Sequence, residues 1–492
     1  MVTELEAAQE LLRRRRARTG LANYIRYVKP HWEVPPHQEQ MAAIADLVAE
    51  GIEKRVIVQL PYRQLKSETW SRDFPAYYSG RRPSDPIITV SDVFALAEGF
   101  GRDVRNRIAS REYQRIFPGV SLRQDSTSAS RFHIVKEGNP INGSYQATSI
   151  GGQIMGQGLL LGVIDDPHKD FLIAQDRKNT DRVWDWYTQV FFNRLQPGAA
   201  VVVICQGLSE HDLPHRLIEH GKMIGKPWKV IKFPAMVDER GKAIVYHDVT
   251  DLAKLRKGKP LWSFYGVDHW VEQAATGGPS QFMAMAQQEP IPFSGQIIKA
   301  PWVMHWAPRG NVPPGRVQLP ERFDRVLQSW DLTFKATVAG SYVVGQVWGE
   351  FGPYRALLDQ VRGQWCFMET CQAIESLSSK WPEARKKLIE AKANGEAVEN
   401  SLNRKIAGIE LVNPGTLDKA ARMRATEAEW ASHHILLPPP ESHSWVPGYI
   451  QRLLQFPSEP NDEGDATSQG LNYMSSRFNV LAALTREDGP NA

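Results

Sequence analysis

The stretch RVIVQLPYRQLKS, residues 55–67, decides how the rest of the chain is read. Arg55 to Leu60 is a short β-rich run, and the residues after Pro61 lead into a helix-compatible segment, so the order is strand, loop, helix. A loop in that position holds a phosphate when backbone amides curl around the anion. A Lys must also reach the outer phosphates, and a hydroxyl at the helix start must meet Mg²⁺. Lys66 and Ser67 stand at those two places. The glycines of such a loop do not, since Leu65 precedes the lysine and the usual first Gly is absent. A lysine and a serine after a strand also arise by chance, so this stretch needs a partner elsewhere in the chain.

The partner is LLLGVIDD, residues 159–166. An apolar strand ending in two acids sets one carboxylate, Asp165, at the sheet edge to hold Mg²⁺ and the next, Asp166, where it can polarise an attacking water. Alone, the pair reads equally as turn caps before Pro167. About a hundred residues after Lys66 and Ser67, it has the order of a P-loop ATPase.

Further β-rich runs at Ile87–Val90, Phe132–Val135 and Ala199–Cys205 alternate with helical patterns such as Val93–Ile108, which predicts an α/β sheet of parallel strands over residues 1–208. The first 20 residues read as a helix ending in Arg13, Arg14, Arg15, Arg16 and Arg18, a basic tail that is either solvated or phosphate-facing. From 209 to 322 the pattern loosens into a connecting region. A second domain, 323–492, opens with a meander of strands at Val326–Trp330, Tyr342–Trp348 and Tyr354–Gln360, followed by a helix at Trp365–Ser378 and a strand-like run at Lys387–Ala391.

At 492 residues the chain is too long for one small module. Its 59 Lys and Arg against 55 Asp and Glu leave a net charge of only +4, so nucleic acid would have to meet a local basic surface. Three cysteines, Cys205, Cys366 and Cys371, are too few for a disulfide framework or a four-ligand zinc site. No apolar run approaches the roughly 18 residues of a membrane span, and the N-terminus lacks an apolar signal core. The expectation is a soluble intracellular protein.

A third constellation lies in the second domain. Asp331 ends the first β-run in QSWDLTFK, Glu390 ends a later one in LIEAKANG, and Asp462 and Asp465 lie in NDEGDATSQGL. Two-metal hydrolysis of a phosphodiester needs acids that converge from distant parts of the chain around ions about 4 Å apart. Strand ends plus a helix start are the setting of an RNase H-like site. Lys392, two residues past Glu390, is either a water-orienting group or a snorkelling surface lysine.

Together these strings resemble one family, the large terminase subunit of tailed bacteriophages. The resemblance runs through PYRQLKSE, IFPG at 116–119, the IGGQIMGQG run before LLLGVIDDP, VWDWYTQVFFNRLQPGAAVVVI, SEHDL, QQEPIPFSGQ, QSWDLTFK, ALLDQVRGQW, IEAKANG, GTLDKAARMRA and NDEGDATSQGL. It implies an N-terminal ASCE-type P-loop ATPase domain with a mainly parallel sheet, followed by an RNase H-like α/β nuclease domain. Lys66 and Ser67 would bind ATP phosphates and Mg²⁺, with Asp165 as the magnesium-side acid and Asp166 as the catalytic carboxylate. Arg63 would sense the γ-phosphate, and His37 and Gln38, in PPHQEQ, would contact adenine. Asp331, Glu390 and Asp465 would hold Mg²⁺ or Mn²⁺ for cleavage. The implied partners are double-stranded DNA, a small terminase subunit, the capsid portal and further copies of the chain in a ring, all in the host bacterial cytoplasm.

Two departures bear on the motor. Leu65 stands where the family commonly has glycine, beside Gln64, which predicts weakened phosphate binding or a different loop path. Cys205, Gln206 and Gly207 replace the usual Thr or Ser and Arg that couple hydrolysis to motion. An arginine finger acting between subunits is sought in FGRDVRNRI, where Arg102, Arg105 and Arg107 are alternatives. Two competing readings follow: a terminase-like DNA-binding assembly adaptor with impaired ATP turnover, and a helicase-nuclease of repair or defence.

Overall fold

In the computed structural model, strand Arg55–Gln59 is buried on both sides, as expected of a run whose centre, Val56 to Val58, is continuously apolar. Val56, Val58 and the following Leu60 enter one core with Leu161, Val163, Val202 and Ile204. Ile57 enters the opposite core with Ile88, Val90, Ile164, Val201 and Val203. The structure describes residues 4–475 except 155, 157, 292–296, 311, 333–341, 392, 414, 416 and 459–461. These fall into two units. One comprises Met1–Tyr246, Asp251–Ala274 and Gln281–Phe293, and the other His247–Thr250, Ala275–Ser280 and Ser294–Ala492.

The first unit is built on eight strands: β1 (Arg55–Gln59), β2 (Ile87–Ser91), β3 (Val120–Thr127), β4 (Arg131–Lys136), β5 (Asn139–Ser149), β6 (Leu159–Asp165), β7 (Leu195–Cys205) and β8 (Lys229–Lys232). Their order is β3-β4-β5-β2-β6-β7-β1-β8. From β5 to β8 all neighbours are parallel, and β7 lies between β1 and β6. At the other edge the expected strand Phe132–Val135 is β4, and it runs antiparallel to both neighbours. The cause is local. Glu137 (φ 51°) and Gly138 (φ 78°) form a two-residue hairpin turn between β4 and β5, which leaves no room for a crossover. A small two-stranded sheet, β9 (Met236–Val237) with β10 (Lys259–Pro260), completes the unit. Within β6, Gly162 lets the sheet approach Phe191, since a Cβ there would meet the ring at 2.5 Å.

After the 61–65 loop the chain turns helical at Lys66, widens into a π-turn over Glu68–Asp73 and continues as helix Phe74–Arg81. Phe74 N–H donates five residues back, to Thr69 O, and Pro75 brings no N–H to restore the α register. The π-turn carries an ion network. Asp73, its side chain wholly buried, meets Lys29 at 2.8 Å and Arg107 at 2.9 Å. Glu68 meets the same two cations at 2.5 and 2.6 Å. Burial raises the Asp73 pKa, opposed by Arg107 and Lys29.

The second unit holds β11 (Met304–Ala307), β12 (Arg316–Gln318), β13 (Arg325–Asp331), β14 (Val343–Phe351), β15 (Tyr354–Gly363), β16 (Lys386–Glu390), β17 (Ile409–Val412) and β18 (Ile435–Leu437), in the order β12-β11-β18-β15-β14-β13-β16-β17. β13, β14 and β15 form the antiparallel meander, and β16 and β17 add in parallel beside β13. Helix Phe367–Lys380 lies between β15 and β16 in sequence. This is the RNase H-like arrangement of a meander extended by parallel strands. No helix among the described residues is long and apolar enough to cross a membrane.

Removing one partner from a buried ion pair strands the other charge. Arg107→Ala is therefore expected to destabilise the chain by about 2 kcal/mol, below the full loss because Lys29 stays with Asp73. A fall in the urea midpoint at unchanged slope checks this.

Candidate functional site

The loop after β1 carries its strain openly. Arg63 (φ 57°) and Leu65 (φ 66°) both lie in the left-handed region, which costs a non-glycine residue about 1–2 kcal/mol. The leucine thus adopts the backbone that glycine takes without cost, and the helix still starts at Lys66. Lys66 is buried, and its Nζ donates to Asp166 at 2.6 Å. Asp166 is itself left-handed (φ 44°), and its N–H donates to Ile204 O at 2.9 Å. Its neighbour Asp165 ends β6 between Ser91 of β2 and Ile204 of β7.

Asp165 is fully enclosed. The Ser71 hydroxyl donates to its Oδ2 at 2.6 Å. Its Oδ1 is buried with no hydrogen-bond partner among the described residues. Burial, then the charge of Asp166, raises its pKa to about 7, while Lys66 and the hydroxyls of Ser71 and Ser67 act the other way. A carboxylate with an idle buried oxygen beside a helix-start hydroxyl suits a hard divalent cation such as Mg²⁺, with Ser67 and Asp165 as the oxygens that would hold it.

Gln38 braces the π-turn that follows Lys66. His37 is buried, burial lowers its pKa to about 4, and its ring lies 5.7 Å from that of Trp262. Gln38 is fully buried, accepts from Trp32 Nε1 at 2.9 Å and donates to Thr69 Oγ1 at 3.1 Å. Arg63 is exposed. Of the three arginines weighed for a finger, Arg107 is committed to Glu68 and Asp73, Arg102 pairs loosely with Glu98 at 3.6 Å, and Arg105 reaches Asn106 at 3.3 Å.

Beyond β7 the loop is stitched by Asp212. It accepts from the N–H groups of Leu208, Ser209 and His215 at 2.9–3.1 Å and from His215 Nδ1 at 2.7 Å. His168, just after the paired acids, accepts from Leu213 N–H at 3.0 Å, so the loops after β6 and β7 are joined. Gln59 and Gln64 keep both amide atoms buried without partners among the described residues. Gly207 lies against Gln59, and its N–H donates to Gln288 Oε1 at 2.9 Å.

In the second unit, Trp330 pairs with Ile389 across β13 and β16, so Asp331 and Glu390 emerge at the same sheet edge. Helix Asp462–Met474 supplies Asp462 and Asp465. Its small residues permit close packing: Ser329 Oγ donates to Ala466 O at 2.7 Å, and Gly470 lies against Ser329 and Trp348. Gln469 Nε2 ties the helix to both strands, through Ser329 Oγ at 3.0 Å and Leu388 O at 3.2 Å. Burial, then the charges of Asp465 and Asp462, pushes the Asp331 pKa up to about 8. Burial also raises that of Asp465, against Lys419 and Arg422. These two cations, inside GTLDKAARMRA, carry no role in the sequence reading. Lys419 Nζ lies 2.5 Å from Asp465, and Arg422 lies 3.4 Å from Asp465 and 3.6 Å from Glu390. Among the described residues, no three His, Cys, Asp or Glu side chains stand at the spacing of a metal site. The donors are hard oxygens suited to Mg²⁺ or Mn²⁺, but the two cations now share their charge. Lys392 lies outside the described residues.

The chain is similar to solved large terminases. One is the large terminase of the thermophilic bacteriophage D6E, with a TM-score of 0.44 and 10% identity over 86% of this chain and 94% of that one. Another is the HK97 bacteriophage large terminase, at 0.34 and 10% over 82% and 86%. The human cytomegalovirus terminase nuclease domain aligns at 0.25 and 14%, over 32% of this chain and 86% of that domain. No protein-family model and no curated protein sequence matches.

The acids generate a pH prediction. Asp331 binds its proton more tightly folded (pKa about 8) than unfolded, so its contribution to stability is lost as pH rises from about 4 through 8. Without divalent cations, the melting temperature is expected to fall between about pH 5 and pH 8.5, and to fall less in Asp331→Asn. Added Mg²⁺ should narrow that difference; parallel melting curves would contradict it.

Proposed function

We propose that this chain is an ATP-driven motor that moves double-stranded DNA into viral procapsids and also a metal-dependent endonuclease that cuts concatemeric DNA, the two tasks of a large terminase subunit. One observation carries the reading: a buried lysine at the start of the helix after β1 meets Asp166, which follows directly on the Asp165 that ends β6, with β7 between the two strands. That is the layout in which a phosphate chain, a divalent cation and a water are brought together at one sheet edge.

In this reading a bound ATP takes Lys66 from Asp166. Freed of the ammonium, Asp166 can accept a hydrogen bond from the attacking water and orient it toward the γ-phosphate. Arg63, exposed on the loop, would meet the same phosphate. Ser67 and Asp165 would hold Mg²⁺, which supplies charge neutralisation when bound. Asp331, Glu390 and Asp465 would do the same for Mg²⁺ or Mn²⁺ beside a DNA phosphodiester. DNA would be gripped through its phosphates, so binding falls with salt. A small terminase subunit, the portal and a ring of identical copies complete the proposed machine, working in the host bacterial cytoplasm.

The adaptor reading gains support from Leu65, whose left-handed backbone (φ 66°) carries a strain that glycine would not. DNA-stimulated ATP hydrolysis separates the two. The native chain is expected to turn over ATP and Lys66→Ala to fall to background, whereas equal background rates in both would remove the motor. In the same preparations Asp331→Ala is expected to abolish Mn²⁺-dependent plasmid cleavage while leaving ATP binding intact. Continued cutting would place the nuclease elsewhere.

A further inference from the structure

Lys419 and Arg422 sit one turn apart on helix Lys419–Arg424 and both meet Asp465, which Arg422 joins to Glu390. Arg422 is the more enclosed, its side chain 13% exposed, and it spans Asp465 and Glu390. The helix is fastened in place. Asp418 caps it through Ala421 N–H at 2.7 Å, and Asn472, on the helix that carries Asp465, donates to Arg422 O at 2.9 Å. Two fixed cations therefore stand against an acid cluster that lacks metal spacing.

Such a contact satisfies charge, but carboxylates are only one kind of oxyanion these groups can grip. A guanidinium binds a phosphate through the same two-pronged fork, and an ammonium binds it as a point charge. A DNA strand whose scissile bond lies at the Asp331–Glu390 edge must bring its neighbouring phosphates close to both.

We propose that Lys419 and Arg422 are the phosphodiester-binding half of the nuclease site and change partner, holding Asp465 and Glu390 without DNA and the backbone phosphate next to the scissile bond with it. This rests on the nuclease reading above. Its consequence is that DNA releases the acids, so divalent cations bind more tightly once DNA is present.

The test is equilibrium Mn²⁺ binding to the full chain, read from the electron paramagnetic resonance of free Mn²⁺, with and without a short duplex. Asp331→Asn gives the baseline for ions held elsewhere. In the native chain DNA is expected to tighten Mn²⁺ binding about five-fold or more. The double variant Lys419→Gln, Arg422→Gln should bind Mn²⁺ tightly without DNA and gain nothing from it. Its cleavage at saturating Mn²⁺ should be slower on the order of 10²-fold. Arg422→Lys keeps the charge and should keep the DNA dependence, which separates partner exchange from a loss of folding. Mn²⁺ binding no tighter in the double variant than in the native chain, or still raised by DNA, overturns the exchange. A native chain that binds no more Mn²⁺ than Asp331→Asn overturns the nuclease reading itself.

Discussion

Two carboxylates, Asp165 and Asp331, end strands whose flanks are apolar; Asp165 is fully buried and Asp331 half-buried, each next to other acids. Burial and like charge raise them to about 7 and about 8. Neither would be tolerated at a strand end without compensation, since an uncompensated buried charge is among the costliest features a fold can contain. Each site meets this requirement in the same way. A lysine or arginine lies on the acids, and a further polar side chain holds the site together: Lys66, with the Ser71 hydroxyl on the Asp165 carboxylate, in the first unit, and Lys419 and Arg422, with the Gln469 amide on the Leu388 backbone, in the second.

The sheet topology then explains why these groups meet. Parallel neighbours end at one edge, so the loops after β1, β6 and β7 are neighbours although β1 ends at Gln59, β6 at Asp165 and β7 at Cys205. In the second unit β16 returns parallel to β13, which brings Glu390 beside Asp331, and helix Asp462–Met474 packs on the strands through the small residues Ala466 and Gly470. Loop chemistry differs between the sites, but the geometric solution is shared.

Much of this was legible. Apolar runs bounded by turns located β1, β2, β6, β7 and the meander β13–β15, and the acids at strand ends were visible as such. Other features were not, for physical reasons. β5, within NPINGSYQATS, alternates only faintly, since Gly143 and Ala147 add little to Ile141 and Tyr145 on the apolar side, and the Glu137–Gly138 turn folds it onto β4. The Arg107 charge reads as a phosphate contact or a solvated face until Asp73 is seen to be buried beneath it. Gln38 matches a segment associated with a nucleobase, yet its amide is occupied by Trp32 and Thr69, contacts that no spacing rule reveals. Ser71 lies four residues after Ser67, so its closeness to Asp165 was within reach of helical periodicity. The grip of Lys419 and Arg422 depends on a tertiary contact between two helices and was not.

Leu65 has a consequence for how this gene can vary. At φ 66° the ranking of tolerated side chains is set by the main chain and not by apolarity. Glycine and asparagine fit the conformation, and valine, isoleucine and proline oppose it although the first two resemble leucine in the side chain. A saturation library scored for viability would sort this codon by torsional preference, against the hydrophobic ordering seen at its buried neighbour Leu60.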